Sequence, residues 1–230
     1  MITEEFNIPH LNLKYSVGIN QIVVDLGRLV PENRIKEEKT VIDLIFKNIE
    51  QIQDSLPDCS IQVFSNKYIL DPNHIFNACY FMELAFLNNL NISNKKNIEL
   101  LLYLATNRQI KIGIESFGIT YTDLEKRELT YCIISHNKNI AEINEQVLQH
   151  LFAQEIELSL NQKSFDKYDT VKKFFEITDN QIEVVLKSYG IKKNLKHLTK
   201  NDLADLYLAL NDLICEKMTL LSLEKTTIDS

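Results

Sequence analysis

The chain has 230 residues, 45% apolar and 25% charged, which predicts a single domain over residues 1–230 with one sizeable core and flexible ends at about 1–12 and 224–230. The net charge of −7 excludes a globally basic nucleic-acid binder, because the summed field repels phosphate, so any nucleic-acid contact must depend on a local patch. The absence of CxxC pairs, a signal-peptide pattern and any apolar run of about 20 residues predicts a soluble, cytoplasmic protein with reduced thiols and no membrane contact.

Two strands with a helix between them are predicted in the first part of the chain. Gly18–Leu26 is rich in β-branched residues and is followed by Gly27, which predicts a strand. After a charged turn at 31–39, apolar residues recur at helical spacing from Val41 to Ile52, until Pro57 stops the helix. Ser60–Phe64 alternates like a second strand, with a continuation through 68–70 as an option.

The pair Asp71-Pro72 predicts a helix start. Asp71 can cap the free backbone N–H groups, and Pro72 at the first helical position loses no needed donor. The helix is expected to run to Asn88–Asn94 with one apolar face, formed by Ile75, Cys79, Met82 and Phe86.

Two further helices flank the polar block Asn107-Arg108-Gln109. The core-facing residues of the first are expected to be Ile98, Leu101, Leu102 and Ala105, and those of the second Ile110, Ile114 and Phe117. Gly118 is expected to end the second helix in the left-handed conformation. The segment Gln109–Ile119 aligns without a gap with Gln181–Ile191, which we interpret as shared helix capping and not as a repeat.

The second part of the chain predicts a third strand at Leu129–Ile134 and a helix over Ile140–Phe152. Segment 153–180 is polar and predicts a loop or weak helix. Gln181–Tyr189 predicts a helix, and Leu198–Leu223 is the longest periodic element. Together these elements predict a mixed α+β fold, in which several helices flank a small mixed β-sheet.

Motifs for catalysis are mostly missing from the sequence, which predicts no enzymatic activity, no cofactor and no metal site. A stand-alone enzyme is still an alternative, because Cys79 with His74, or Cys132 with His136, could meet in space. Asp71 and Glu83 could also form a carboxylate pair, although capping already explains Asp71.

Basic and amide side chains bracket the helix that precedes the polar block. They are Lys95 and Lys96 on one side, and Arg108, Gln109 and Lys111 on the other. The guanidinium of Arg108 can pair with phosphate or stack on a base, so these five residues are candidates for RNA binding. The alternative is an ordinary solvated helix junction in which Arg108 caps a carbonyl group.

The last long helix has more apolar side chains than one core-facing side requires. One stripe contains Leu210, Ile214, Met218 and Leu221, and a second row widens it with Leu206, Leu213, Leu220 and Leu223. Such a helix is either sandwiched between layers or docks a second protein. The four residues of the first stripe are the candidates for partner binding.

Parts of the chain resemble the kinase-binding subunits of the KEOPS complex, the TPRKB-like family of archaeal type. The resemblance covers about residues 17–223. It is densest in Asp71–Phe86, in Glu99–Ile119 with its Arg-Gln-Ile and Phe-Gly-Ile motifs, and in the pairing of Tyr189–Ile191 with the helix through Asp212–Cys215 and Met218.

This resemblance implies a non-catalytic subunit that binds the KEOPS kinase/ATPase subunit through a largely apolar helical surface. It also implies support for threonylcarbamoyladenosine formation in tRNA and, for the archaeal type, binding of the 3′ CCA tail of tRNA. Two alternatives to this function stay open: the stand-alone enzyme described above, and a protein–protein adaptor that does not bind RNA.

Overall fold

The computed structural model describes residues 1–30, 37–56, 58–126, 129–137, 139–193, 195 and 197–228, with side chains of the last helix described as far as Leu223. The charged turn predicted at 31–39 falls mostly outside the described residues, as does Pro57, and so do the side chains of the predicted flexible end at 224–230. Contacts within the chain define two compact units, and the single domain stays a prediction. Unit 1 is Met1–Asn66 with Phe117–Ser159, and unit 2 is Lys67–Ser116 with Leu160–Ser230.

The chain forms a mixed α+β fold, as predicted. The strands are β1 (Ile2–Ile8), β2 (Leu13–Val24), β3 (Cys59–Phe64), β4 (Leu129–Ser135) and β5 (Ala153–Glu155). The helices are α1 (Leu26–Leu29), α2 (Glu38–Asp54), α3 (Pro72–Leu87), α4 (Lys96–Ala105), α5 (Ile110–Phe117), α6 (Tyr121–Glu125), α7 (Ile140–His150), α8 (Phe165–Phe174), α9 (Asp179–Ser188) and α10 (Leu203–Ile228).

Unit 1 contains an antiparallel sheet in the order β1-β2-β4-β3. The long strand β2 pairs with β4 along one edge and with both β1 and β5 along the other, so Ile22 lies between Leu129 and Glu155. The three predicted strands are confirmed with shifted ends. The continuation of the second strand through 68–70 is wrong, because β3 ends at Phe64 and the following residues form a turn.

The first 12 residues, for which no element was predicted, contain strand β1. Its residues are only partly buried, and its pattern ITEEFNI carries charges between apolar positions. A partly solvated edge strand has a weaker hydrophobic signal than an interior strand such as β4, whose residues are all buried.

Helices α2 and α7 cover one face of the sheet. The apolar spacing of α2 buries Val41, Ile45, Ile49 and Ile52, as the sequence predicted.

A chain of side-chain hydrogen bonds connects strands β2, β4 and β5 with helix α7. The side-chain amide of Asn20 and the hydroxyl of Tyr131 donate to Asn144 Oδ1 at 2.8 and 2.5 Å, and Asn144 Nδ2 donates to Glu155 Oε1 at 2.6 Å. Burial raises the pKa of Tyr131, which therefore stays neutral and acts as a donor.

Unit 2 is built around α4, which is buried on every side from Glu99 to Ala105. Helix α3 packs against α4, and α10 packs against α3, α4, α8 and α9. The predicted inner face of α5 is wrong at two of three positions, because Ile110 and Ile114 are 43% and 46% exposed. Gly113 lies on the inner side instead, where an added Cβ would come within 3.2 Å of Leu102 Cδ2. The two helices approach too closely there for an isoleucine.

Segment 153–180, predicted to be a loop or weak helix, contains strand β5 and the ten-residue helix α8. Ser164 caps α8 by accepting the backbone N–H of Lys167 at 3.2 Å, and Tyr168 and Val171 are buried. Because α8 buries only these two residues, its apolar pattern is too sparse to stand out from the polar segment around it.

The helix C-cap predicted for both aligned segments, 109–119 and 181–191, is present only in the second. Gly190 has φ +74°, and the backbone N–H groups of Gly190 and Ile191 donate to the carbonyl oxygens of Lys187 and Leu186, each at 2.9 Å. These bonds are those of a Schellman motif. The expectation for Gly118 is wrong, because its φ is not positive.

Charge is divided unevenly between the two units. Unit 1 contains 17 acidic and 9 basic residues, so its formal net charge is −8. Unit 2 contains 15 acidic and 16 basic residues, so its formal net charge is +1. The acidic balance of the chain is therefore a property of unit 1, and repulsion of phosphate does not follow for unit 2.

In the described part of the chain, none of the helices combines the length and the hydrophobicity that a bilayer crossing requires.

Candidate functional site

Helix α3 begins as the sequence predicts. Asp71 Oδ1 accepts the backbone N–H of His74 at 3.2 Å, and Pro72 is in the first turn. Burial raises the pKa of Asp71 despite this hydrogen bond. His74 is fully buried, with its Nδ1 accepting the backbone N–H of Leu70 at 3.3 Å and its Nε2 lying 3.1 Å from the carbonyl oxygen of Leu104. Both ring nitrogens are thus engaged with the backbone.

Acidification is expected to destabilise the fold through His74. Burial lowers the pKa of this imidazole to about 4, whereas in the unfolded chain it is about 6.5. Between pH 6.5 and pH 4 only the unfolded state binds this proton. The contribution of His74 to the free energy of unfolding is therefore complete above pH 6.5, and it is lost as the pH falls towards 4. At pH 5 the expected loss is about 2 kcal/mol.

The measurement is denaturant unfolding of the wild type and of His74→Asn at pH 7 and pH 5. The variant keeps Asp71 and the other carboxylates, whose titration contributes equally to both proteins. The wild type should lose about 2 kcal/mol more than the variant between the two pH values. Equal losses would show that His74 does not remain neutral in the folded chain.

Several residues of the enzyme alternative have structural surroundings. His74 is engaged with two backbone groups, and Cys79 and Cys132 are buried. Asp71 and Glu83 are twelve residues apart on α3, which separates them by about 18 Å along the axis. Among the described residues, no group of three or more His, Cys, Asp and Glu side chains is placed to hold a metal ion.

Two buried carboxylates organise the start of α4. Glu99 is fully buried and accepts the backbone N–H of Ile92 at 2.9 Å and that of Ser93 at 2.6 Å. Glu83 is 3% exposed, and its two oxygens accept from Lys96 Nζ at 2.6 and 2.8 Å. Lys96, predicted to bind RNA, therefore has a structural partner inside unit 2.

The polar block after α4 is a helix junction. Thr106 ends α4 with φ +47°, a conformation that β-branched residues rarely adopt. The backbone N–H of Asn107 donates to the carbonyl oxygen of Leu102 at 3.0 Å, and Asn107 Oδ1 accepts the N–H of Gln109 at 2.9 Å. These bonds close one helix and open the next, so the apolar run has to stop here.

Arg108 lines a pocket of about 380 Å³ at this junction. Its Nη1 is buried and has no hydrogen-bond partner among the described residues. Three residues of α10, Lys217, Leu220 and Leu221, complete the lining with Thr106, Asn107 and Gln109. None of the described lining residues is acidic. A buried guanidinium nitrogen without an acceptor is rare in folded proteins. Because the lining contains two cationic side chains, Arg108 and Lys217, the pocket is suited to an anionic group.

The five predicted RNA-binding residues are not all brought together. Arg108 and Gln109 line the pocket. Lys95 and Lys96 lie at the other end of α4, about 15 Å away along its axis. Lys111 is 81% exposed, and its Nζ lies 3.8 Å from Glu115 Oε1, a surface pair of little energetic consequence.

The four predicted partner-binding residues of α10 belong to the core. Leu210, Ile214 and Met218 are fully buried, and Leu221 is 5% exposed. The exposed apolar side chains of the described part of α10 are instead Leu208, Leu220 and Leu223, which are 42%, 51% and 54% exposed. The sequence contained a signal for two of these, because Leu220 and Leu223 widen the apolar stripe. It contained none for Lys217 in the pocket.

Comparison with known proteins supports the resemblance seen in the sequence. No curated protein matches the chain. A family model described as kinase binding protein CGI-121 matches residues 40–222, which include the helix junction, the pocket and most of α10. This family is a kinase-binding family and is not a known enzyme family. With most of its length matched, the chain belongs to the CGI-121 family of kinase-binding proteins.

Proposed function

We propose that this chain is a non-catalytic accessory subunit of the KEOPS complex. It binds the kinase/ATPase subunit and the 3′ CCA end of tRNA, and so supports threonylcarbamoyladenosine formation in tRNA. Family membership supports the kinase partner. The observation that carries the site is the junction of α4 and α5, where Arg108 and Lys217 line a pocket together with Leu220 of α10 and no described lining residue is acidic.

The proposed kinase-docking face is the exposed side of α10. Leu220 and Leu223 each leave about half of their surface in water, and Leu220 also lines the Arg108 pocket. Large apolar side chains that rim a polar pocket are typical of protein–protein interfaces. The four residues predicted from the sequence to bind the partner would instead anchor α10 in the core and so position this face; they are Leu210, Ile214, Met218 and Leu221.

Replacing Leu220 and Leu223 by aspartate should weaken kinase binding by at least about tenfold, because each change places a charge against an apolar partner surface. Binding of the purified kinase subunit is measured by calorimetry without RNA. Val184→Asp is the matched control, since Val184 is 66% exposed on α9 and lies outside the proposed face. Unchanged binding by the double variant would refute the docking face.

The proposed RNA contact is centred on Arg108 and Gln109, with Lys95 and Lys111 as outlying cations. Lys96 is assigned to the fold, because it is bound to Glu83. A pocket of about 380 Å³ with one apolar wall can hold one nucleotide unit, its phosphate on the guanidinium and its base against the leucines of α10. Since unit 2 has no net negative charge, its field does not oppose this contact.

Removal of the CCA tail should weaken tRNA binding, and Arg108→Gln should weaken binding of intact tRNA by about tenfold through the loss of charge-assisted hydrogen bonds. Gel-shift titrations at one fixed salt concentration measure both. Lys187→Gln removes the same charge from an exposed site on α9 and should have a small effect. If neither tail removal nor Arg108→Gln changes the affinity, the chain is a protein–protein adaptor without this RNA role.

A further inference from the structure

A second concave site lies in unit 1 and shares no residue with the Arg108 pocket. It is a groove of about 780 Å³, in the size range of ligand sites. Its lining is mainly apolar and includes Val24 and Ala153, which are paired across β2 and β5. The other apolar lining residues are Val23, Leu26, Leu124, Leu148 and Phe152.

Phe152 in this groove is held in an unfavourable conformation. It follows α7 with φ +48°, a position at which helices usually have glycine. The residue is 39% exposed, and the guanidinium carbon of Arg28 lies 4.8 Å from the centroid of its ring. A bulky residue in this region costs of order 1 kcal/mol, and the core gains little from it. Strain at an exposed aromatic side chain suggests a role in recognition.

Strand β5, which lines the groove with Ala153 and Gln154, has one edge that no described strand covers. The backbone N–H of Asp25 donates to the carbonyl oxygen of Phe152, and that of Ile156 donates to the carbonyl oxygen of Gln21, at 3.0 and 2.9 Å. Because bonded pairs alternate in an antiparallel ladder, the backbone groups of residues 153 and 155 point away from β2. Within the described chain β5 pairs only with β2, so an extended polypeptide can add to this edge.

The electrostatic surroundings select the charge of the occupant. The charged lining residues are Asp25, Glu125 and Arg28, and the guanidinium of Arg28 is stacked on the Phe152 ring. Unit 1 as a whole has a formal net charge of −8. A cleft focuses the field of the surrounding charges, so a cationic ligand is attracted to this groove and a nucleic-acid backbone is repelled.

We propose that the unit 1 groove binds an extended, basic segment of a protein partner. The segment pairs with the free edge at Ala153 and inserts an apolar side chain against Phe152. Its lysine or arginine residues face the carboxylates of Asp25 and Glu125. This inference extends beyond the proposed function, and it does not depend on whether Arg108 binds tRNA.

The test uses three blocked nonapeptides and the full chain. One alternates leucine and lysine, one leucine and glutamate, and one serine and lysine. The leucine–lysine peptide is expected to bind and to shift the amide resonances of residues 152–154, whereas the other two bind at least about tenfold more weakly. Equal binding of the leucine–glutamate or the serine–lysine peptide would overturn the proposal.

Variants locate the site on the chain. Phe152→Asn removes the ring and keeps a residue that tolerates positive φ, and it should weaken leucine–lysine binding about tenfold. The matched control is Phe46→Asn, since Phe46 is 37% exposed on α2 and does not line the groove. Asp25→Asn with Glu125→Gln should also weaken binding, and asparagine preserves the cap of α1. Equal affinities for the Phe152 and Phe46 variants would rule out this groove.

Discussion

Met218→Asp is expected to unfold unit 2. Met218 is fully buried on α10, where a carboxylate would lose its hydration. The lost apolar burial and the buried charge together should cost on the order of 4 kcal/mol or more, a large fraction of the stability of a typical domain. The expected result is a lowered melting temperature in thermal unfolding, or a variant without a cooperative transition.

Leu220→Asp is the matched control on the same helix. Its side chain is 51% exposed, so the charge stays hydrated, and stability should change by only about 0.5 kcal/mol. The pair of variants separates the core stripe of α10 from the proposed docking face. A Met218→Asp protein with wild-type melting behaviour would mean that α10 does not pack as described.

Lys96→Met is expected to cost about 3 kcal/mol. It removes the cation that lies 2.6 Å from the carboxylate of Glu83, which is itself only 3% exposed. Breaking a buried pair on one side removes this counterion while the carboxylate stays buried, and this costs more than the pair contributes. For a chain of this size, the melting temperature should fall by about 6–12 °C.

Two further variants test the assignment of Lys96 to the fold. Lys95→Met changes an exposed neighbour and should leave the melting temperature nearly unchanged. Glu83→Met combined with Lys96→Met should recover most of the lost stability, because both charges of the pair are then removed together. If Lys96→Met is as harmless as Lys95→Met, the side chain is available for RNA after all.

Local chemistry explains which elements could be predicted. The start of α3 could be predicted because the capping Asp71, Pro72 and the capped His74 all lie within four residues. Strand β4 could be predicted from its run of β-branched and aromatic residues. The inner face of α5 could not be predicted, because it depends on how closely α5 approaches Leu102 of α4. Periodicity selected Ile110 and Ile114, whereas the close contact requires Gly113.

The candidate site was predictable only in part. The polar block around Arg108 is visible in the sequence because it interrupts an apolar run. Arg108 shares its pocket with Lys217 and Leu220, which are more than about 100 residues away in the sequence. No local sequence pattern indicates such a long-range arrangement. Which positions of α10 are buried depends likewise on the sides that α3, α4, α8 and α9 cover. Met218 and Leu220 are close neighbours in the sequence, yet only Met218 is covered.

The complete burial of α4 has a consequence for hydrogen exchange. Amide protons from Leu100 to Leu104 should exchange with deuterium only when unit 2 opens globally, because every side of that helix is packed. The amides of Thr106 to Gln109 belong to a partly solvated junction and should exchange through local fluctuations. The junction can therefore adjust its backbone around an incoming ligand while the helix that holds it stays closed.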